Sequence, residues 1–209
     1  EGPSIMRLQV VEDPEKHIVL KRVQQLERDA FFADLQSELR QRGNSVLVFV
    51  HGYNVSFDSA ARRTAQMSHD LKFAGAAAFY SWPSQANWRQ YRIDEKNVEL
   101  SINQLKTFLL DMARRSGADT INLIAHSMGN RALTNALKEI EDASSEKDKL
   151  FNQVILAAPD IDADIFTERI APAIVNKAQH ITLYVSAYFP TGVFLSEELF
   201  YMLTHEGTA

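Results

Sequence analysis

The sequence predicts an α/β sandwich of three layers, with a mostly parallel central sheet and helices on both faces. Two observations predict it. Five short, nearly continuous apolar runs recur along the 209 residues, as strands buried on both faces of a parallel sheet require. Amphipathic helical stretches separate them, and strand–helix–strand alternation with right-handed crossovers builds this class.

The elements follow in order. Asp29 to Gln41 carries Phe31, Phe32, Leu35 and Leu39 at helical spacing, with Gly43 as its stop. Val46 to Val50 is the first strand. Ser56 reads as the N-cap of a helix running to about Lys72, and Ala76 to Tyr80 is the second strand. The longest helix spans Tyr91 to Arg115, with Val98, Leu100, Ile102, Leu105, Leu109 and Met112 on one broad stripe. Strand Ile121 to Ala125 and helix Met128 to Ile140 come next. The mixed-sign stretch Glu141 to Lys149 reads as a solvated connection. Strand Val154 to Ala158, helix Ala163 to Lys177 and strand Ile181 to Val185 complete the series.

Composition narrows the function. With 45% hydrophobic and 23% charged residues, a single domain over 1–209 is expected, with 1–28 as an N-terminal extension. A net charge of −5 argues against nucleic acid as partner, which calls for a basic face. The absence of cysteine removes disulfides, thiolate zinc sites, iron–sulfur clusters and thiol nucleophiles. No apolar run approaches the roughly 20 residues of a membrane helix. Monomer and homodimer are both compatible with the sequence.

One segment carries chemistry: Ile124-Ala125-His126-Ser127-Met128-Gly129. An apolar strand, then small-x-Ser-x-Gly, then a helix opening with Asn130-Arg131 is the context of a nucleophile elbow. The Ser must sit on a sharp, strained turn, so the positions two before and two after it must be small. Ala125 stands at the first of these, where Gly is usual, and adds only a methyl. The turn aims the Met128 N–H and the helix N-terminus at the point where an oxyanion forms. His51-Gly52-Tyr53-Asn54 directly follows the first strand. It can place a second donor, the Tyr53 N–H, beside that of Met128, with His51 holding the loop. Trp82 and Pro83 could form part of a pocket rim, with Trp88 and Tyr91 adding apolar surface.

These motifs make the chain resemble the α/β-hydrolase superfamily. More closely, it resembles a bacterial family within it that reads VFVHGYN, YSWPS, AHSMGNR, LAAPDIDAD and then a YVS strand. Val48 to Asn54, Tyr80 to Ser84, Ala125 to Arg131 and Leu156 to Asp164 match in that order. The resemblance covers about Ser45 to Ser186, some two-thirds of the chain. It implies a carboxyl-ester hydrolase architecture, needing neither metal nor organic cofactor. The bacterial setting leaves the compartment open between cytoplasm and periplasm or secretion, the more so because the sequence starts at Glu1.

The superfamily places its acid and base after the nucleophile, in the order Ser, acid, His. Two histidines follow Ser127. His180 precedes the last strand, so it should lie roughly 16 Å from the catalytic edge. His205 is therefore the expected base. Relatives carry an Asp shortly after the YVS strand, but no Asp follows Asp164 here, so 187–209 is atypical. Asp160, and second Asp162, leave the end of the preceding strand and are the candidate acids; capping of the next helix suits them equally. Glu197 and Glu198 are weaker candidates. The expected function is a serine carboxylesterase for small or medium acyl esters. The alternative is an impaired hydrolase-like domain that binds rather than turns over.

Overall fold

The computed structural model describes residues 18–143 and 149–185. Five strands form one sheet: β1 (Ser45–Val50), β2 (Ala76–Tyr80), β3 (Thr120–His126), β4 (Phe151–Ala157) and β5 (Ala178–Tyr184). Their order is β2-β1-β3-β4-β5 and every pairing is parallel. Each of the five predicted runs is a strand, and β3 to β5 begin one to three residues earlier than the apolar pattern suggested.

Alternation along the strands assigns the layers, since successive side chains point to opposite faces. Val46, Val48 and Val50 of β1 join Ile121, Leu123 and Ala125 of β3 and Val154 and Leu156 of β4 in the main core. Helices α1 (Arg28–Arg42), α4 (Ile102–Arg115) and α5 (Gly129–Ala143) complete that core through Leu35 and Leu39, Leu105 and Leu109, and Leu133 and Leu137. Tyr80, in register with Val50, packs its ring on Phe108 of α4. On the opposite face, Phe79 is in register with Phe49 and meets Phe57 of α2 (Phe57–Asp70). Helix α2 is thus alone on its side among the described helices.

That asymmetry corrects one expectation. Only β1 is buried on both faces; β3 alternates buried with half-buried residues, and β5 exposes Gln179 and His180. The α2 layer covers β1 and β2 and leaves the outer strands less protected. The apolar residues at Ile124 and Ile155 reflect strand propensity more than full burial.

Two long helices are interrupted for identifiable reasons. The stretch from Tyr91 to Arg115 divides at Ser101 into α3 (Tyr91–Leu100) and α4. There the Ser101 hydroxyl donates to Asn97 O at 2.8 Å, competing with the backbone ladder. The stretch from Ala163 becomes α6 (Ala163–Ile165), a π-helical turn (Phe166–Ile170) and α7 (Ala171–Ile174). Pro172 has no N–H and its ring opposes a regular helix; the preceding Ala171 N–H bonds five residues back, to Phe166 O. The predicted cap at Ser56 holds, with its hydroxyl accepting from Ser59 N at 3.2 Å.

Candidate active site

The joint between β3 and α5 is strained where the sequence places its nucleophile. Ser127 has φ 51°, in the left-handed region that side chains other than Gly avoid. Such a conformation costs on the order of 1–3 kcal/mol and persists only where the surroundings over-determine it. They do so here. Ser127 N–H donates to Ala157 O at 3.0 Å, tying the turn to the end of β4. Ser127 O accepts from Asn130 N at 3.0 Å and from Asp160 N at 3.3 Å. The Asn130 side-chain amide donates to both Ser127 O (2.9 Å) and Ala157 O (3.0 Å). Ala158, just past β4, is left-handed as well, with φ 43°.

The small residues of the motif have specific neighbours. A Cβ on Gly129 would lie 2.4 Å from His51 O and 2.7 Å from Val50 O. The crowding therefore comes from the end of the adjacent strand β1, not only from the β3–α5 crossing. Ala125 is fully buried and its methyl is accommodated. Gly52 abuts Ser127, since a Cβ there would meet His126 O at 2.8 Å and Ser127 Cβ at 3.0 Å. The loop after β1 thus runs against the serine, with the Tyr53 N–H one residue further on. Among the described residues no acceptor engages either the Tyr53 or the Met128 N–H. The Met128 side chain is buried in the core and anchors the turn.

His51 holds this loop from inside. Its ring is fully buried and stacks on Trp82 with centroids 5.0 Å apart. A carbonyl can only accept, so Nδ1 carries the proton given to Gly52 O (2.9 Å). Nε2 then receives the Ser81 hydroxyl at 3.2 Å. Burial lowers the His51 pKa below its ordinary value, and His126 is lowered too, by burial and by the Arg63 charge. Folding thus excludes protons from these rings as pH drops under about 6.5. The stabilisation is complete above that pH and is lost as pH falls toward the folded pKa. Melting temperature should decline between about pH 6.5 and pH 5, and less steeply in His51→Asn. Parallel slopes for the two proteins would rule this origin out.

Asp94 is a residue that sequence reasoning missed. It is fully buried on α3 and accepts from Ser84 Oγ at 2.6 Å, Gln85 N at 2.7 Å and Asn54 N at 3.5 Å. One carboxylate therefore fastens the loop after β1 to the loop after β2. Its removal leaves three part-buried donors without their shared acceptor, so Asp94→Ala should cost about 2 kcal/mol in denaturant unfolding, and Asp94→Asn less. A loss below about 0.5 kcal/mol would show that the loops hold without it. Trp82, expected at a pocket rim, is buried instead and donates its indole N–H to His51 O at 2.7 Å.

The candidate acids take different positions. Asp162 caps α6, its Oδ1 accepting from Asp164 N (3.0 Å) and Ile165 N (3.1 Å). Asp160 lies beside the elbow, and its Oδ2 accepts from Tyr91 OH at 2.6 Å. Burial and the Asp160 carboxylate push the Tyr91 hydroxyl up to about 12. Arg131 joins Glu95 (2.7 Å) to this pair, lies 3.4 Å from Asp160 Oδ2 and also donates to Asp160 O. Tyr91, expected to supply only apolar surface, packs edge-on against Tyr53 at 5.2 Å.

His180 sits in the N-terminal half of β5, paired with Gln153. His205, Glu197 and Glu198 lie outside the described residues. Among the described residues no histidine ring bonds Ser127 Oγ, no cluster of three metal-ligating side chains occurs, and no helix is long and apolar enough to cross a membrane. Asp94, which sequence reasoning missed, and Asn130 and Arg131, which it read only as the opening of a helix, join segments remote in the chain. The signal for Asp94 was polarity inside an otherwise apolar helical face.

Two solved structures are similar to the chain at low identity. A Trichoderma reesei cutinase, solved with a C11Y4 phosphonate inhibitor, is 14% identical with a TM-score of 0.41, over 76% of this chain and 72% of that one. The phospholipase PlaB from Legionella pneumophila is 13% identical with a TM-score of 0.31, over 59% of this chain and 27% of that one. No curated protein matches. A family model described as "Alpha/beta hydrolase of unknown function (DUF900)" matches residues 27–189, well over half the sequence. With its parallel five-stranded sheet and flanking helices, the chain belongs to this α/β-hydrolase family.

Proposed function

We propose that this hydrolase-family chain is a serine carboxylesterase acting on small or medium acyl esters through an acyl-enzyme on Ser127. One observation carries the reading: a left-handed serine between strand and helix, with Gly52 against it and, among the described residues, no acceptor on the Tyr53 and Met128 N–H groups. Ser127 Oγ attacks the ester carbonyl carbon while a base removes its proton. The carbonyl π pair moves to oxygen, and the Tyr53 and Met128 N–H groups receive the resulting oxyanion. Each such donor contributes about 3–4 kcal/mol to the transition state. Collapse expels the alcohol, which takes the proton from the base. Water then attacks the acyl-enzyme by the same steps and releases the acid.

The base is assigned to His205 and the carboxylate that orients it to Asp160, with Asp162 second. Asp160 is preferred because its backbone is bonded to the elbow and Tyr91 occupies only Oδ2, whereas Asp162 Oδ1 is spent on a cap. A second reading, a hydrolase-like binding domain without turnover, draws on the same ion pair. Arg131 already neutralises Asp160, which weakens it as a partner for an imidazolium.

Purified protein should hydrolyse p-nitrophenyl butyrate above the buffer rate. A fluorophosphonate should label it at Ser127, as read by peptide mass spectrometry. Neither turnover nor labelling would sink the esterase reading and leave the binding domain.

A further inference from the structure

Tyr91 opens α3 directly after a short 3-10 turn, Trp88–Gln90. Asn87 caps that turn, its Oδ1 accepting from Arg89 N at 3.0 Å. Tyr53 reaches the turn from the loop after β1, with its hydroxyl donating to Trp88 O. The Tyr91 ring then meets the Tyr53 ring edge-on, with centroids 5.2 Å apart. Edge-to-face pairing is directional, so it fixes the tilt of the Tyr53 ring as well as covering it. The loop that carries the Tyr53 N–H is thus attached to the start of α3 at two points.

The hydroxyl end of Tyr91 meets a different segment. Tyr91 and Glu95 are four residues apart on one face of α3. Arg131 of α5 reaches both, donating to Glu95 Oε1 at 2.7 Å and to Tyr91 OH at 3.2 Å. Tyr91 OH in turn donates to Asp160 Oδ2 at 2.6 Å, the oxygen from which Arg131 lies 3.4 Å away. A neutral hydroxyl therefore takes the closer place at Asp160, and the guanidinium, drawn to Glu95, takes the longer one. Hydrogen bonds chained in this way polarise and strengthen one another. Held up to about 12, the hydroxyl keeps its proton through the neutral range and stays a donor.

We propose that Tyr91 is a positioning residue of the site around Ser127: its ring seats the loop that carries the Tyr53 N–H, and its hydroxyl sets Asp160 and how far Arg131 closes on it. This role rests on the esterase reading, in which Tyr53 supplies an oxyanion donor and Asp160 orients the base. It adds that one side chain, by its two ends, holds both halves of that constellation. Without the hydroxyl, Arg131 closes on Asp160 Oδ2 and turns the carboxylate away from the base.

A cycle of Tyr91→Phe, Tyr91→Leu and Asp160→Asn tests it, with rates read both as p-nitrophenyl butyrate turnover and as fluorophosphonate labelling of Ser127. Tyr91→Phe keeps the ring and should lower kcat about tenfold with KM within about twofold. In the Asp160→Asn background the same change should alter kcat by less than about twofold, because the carboxylate it acts through is gone. Tyr91→Leu should lower kcat about 100-fold, and about tenfold even with Asn at 160, since the ring contact does not run through Asp160. Tyr91→Phe, a conservative change, should melt within about 4 °C of the parent. A full rate in Tyr91→Phe, or an equal loss with Asp and Asn at 160, would overturn the role of the hydroxyl; equal rates for Phe and Leu would overturn that of the ring. A parent protein that neither turns over nor labels would instead overturn the esterase reading, and this role with it.

Discussion

Ser127→Ala is expected to cut p-nitrophenyl butyrate hydrolysis by about 10⁴-fold or more while leaving the fold intact. The size follows from the mechanism: without Oγ there is no acyl-enzyme, and only the oxyanion donors and binding remain to assist water. The stability half of the expectation comes from the backbone. Alanine in the left-handed region carries the same Cβ penalty as serine, and among the described residues every hydrogen bond that holds the turn is made by Ser127 N and O rather than by its hydroxyl. Melting temperature should therefore stay within about 2 °C of the parent. An unchanged rate would remove Ser127 from the chemistry. A lost rate with a collapsed melting curve would mean that the hydroxyl is structural.

Gly129→Ala is the second large effect, and it should strike stability and rate together. The new Cβ would meet two backbone carbonyls, of His51 and Val50, at 2.4 and 2.7 Å. Neither is the far end of a flexible side chain, so β1 and α5 must separate. Overpacking of this kind costs about 3 kcal/mol, or about 10 °C in melting temperature for a chain of this size. The same separation moves the Tyr53 N–H away from that of Met128. Displacement on the order of 1 Å at such a site lowers rates about 100-fold. If Gly129→Ala melts like the parent, the helix has room that the geometry denies.

The strand centres were legible because apolar and β-branched runs report strand propensity even where, as at Ile124 and Ile155, one face is only half-buried. The strained turn at Ser127 was legible because it is local: five consecutive residues with one steric demand. What depended on distant partners was not. Nothing in the order of residues shows that Asp94 on α3 closes on Asn54 and Gln85, or that Arg131 reaches Glu95 and Asp160. Trp82 looked like a rim residue because aromatics after a strand often are. Its indole N–H instead satisfies a carbonyl in the core. The helix boundaries failed at Ser101 and before Pro172, where one hydroxyl and one missing N–H outweigh an apolar stripe that continues through them. Asp162 shows the ambiguity of acids at strand ends, since capping and catalysis ask for the same residue type in the same place.

The bonds around Ser127 also bear on when the site comes into being. Its N–H and O are tied to Ala157 at the end of β4 and to Asp160 just past it, both beyond the helix that follows the serine. A chain emerging from its N-terminus holds the complete motif well before β4 exists to receive those bonds. Until β4 docks, only the bonds from Asn130 to Ser127 O compensate the left-handed turn, and the segment is freer to relax to an ordinary strand–helix joint. The left-handed geometry at Ser127 is therefore a late product of folding, withheld from the nascent chain until the sheet has grown past it.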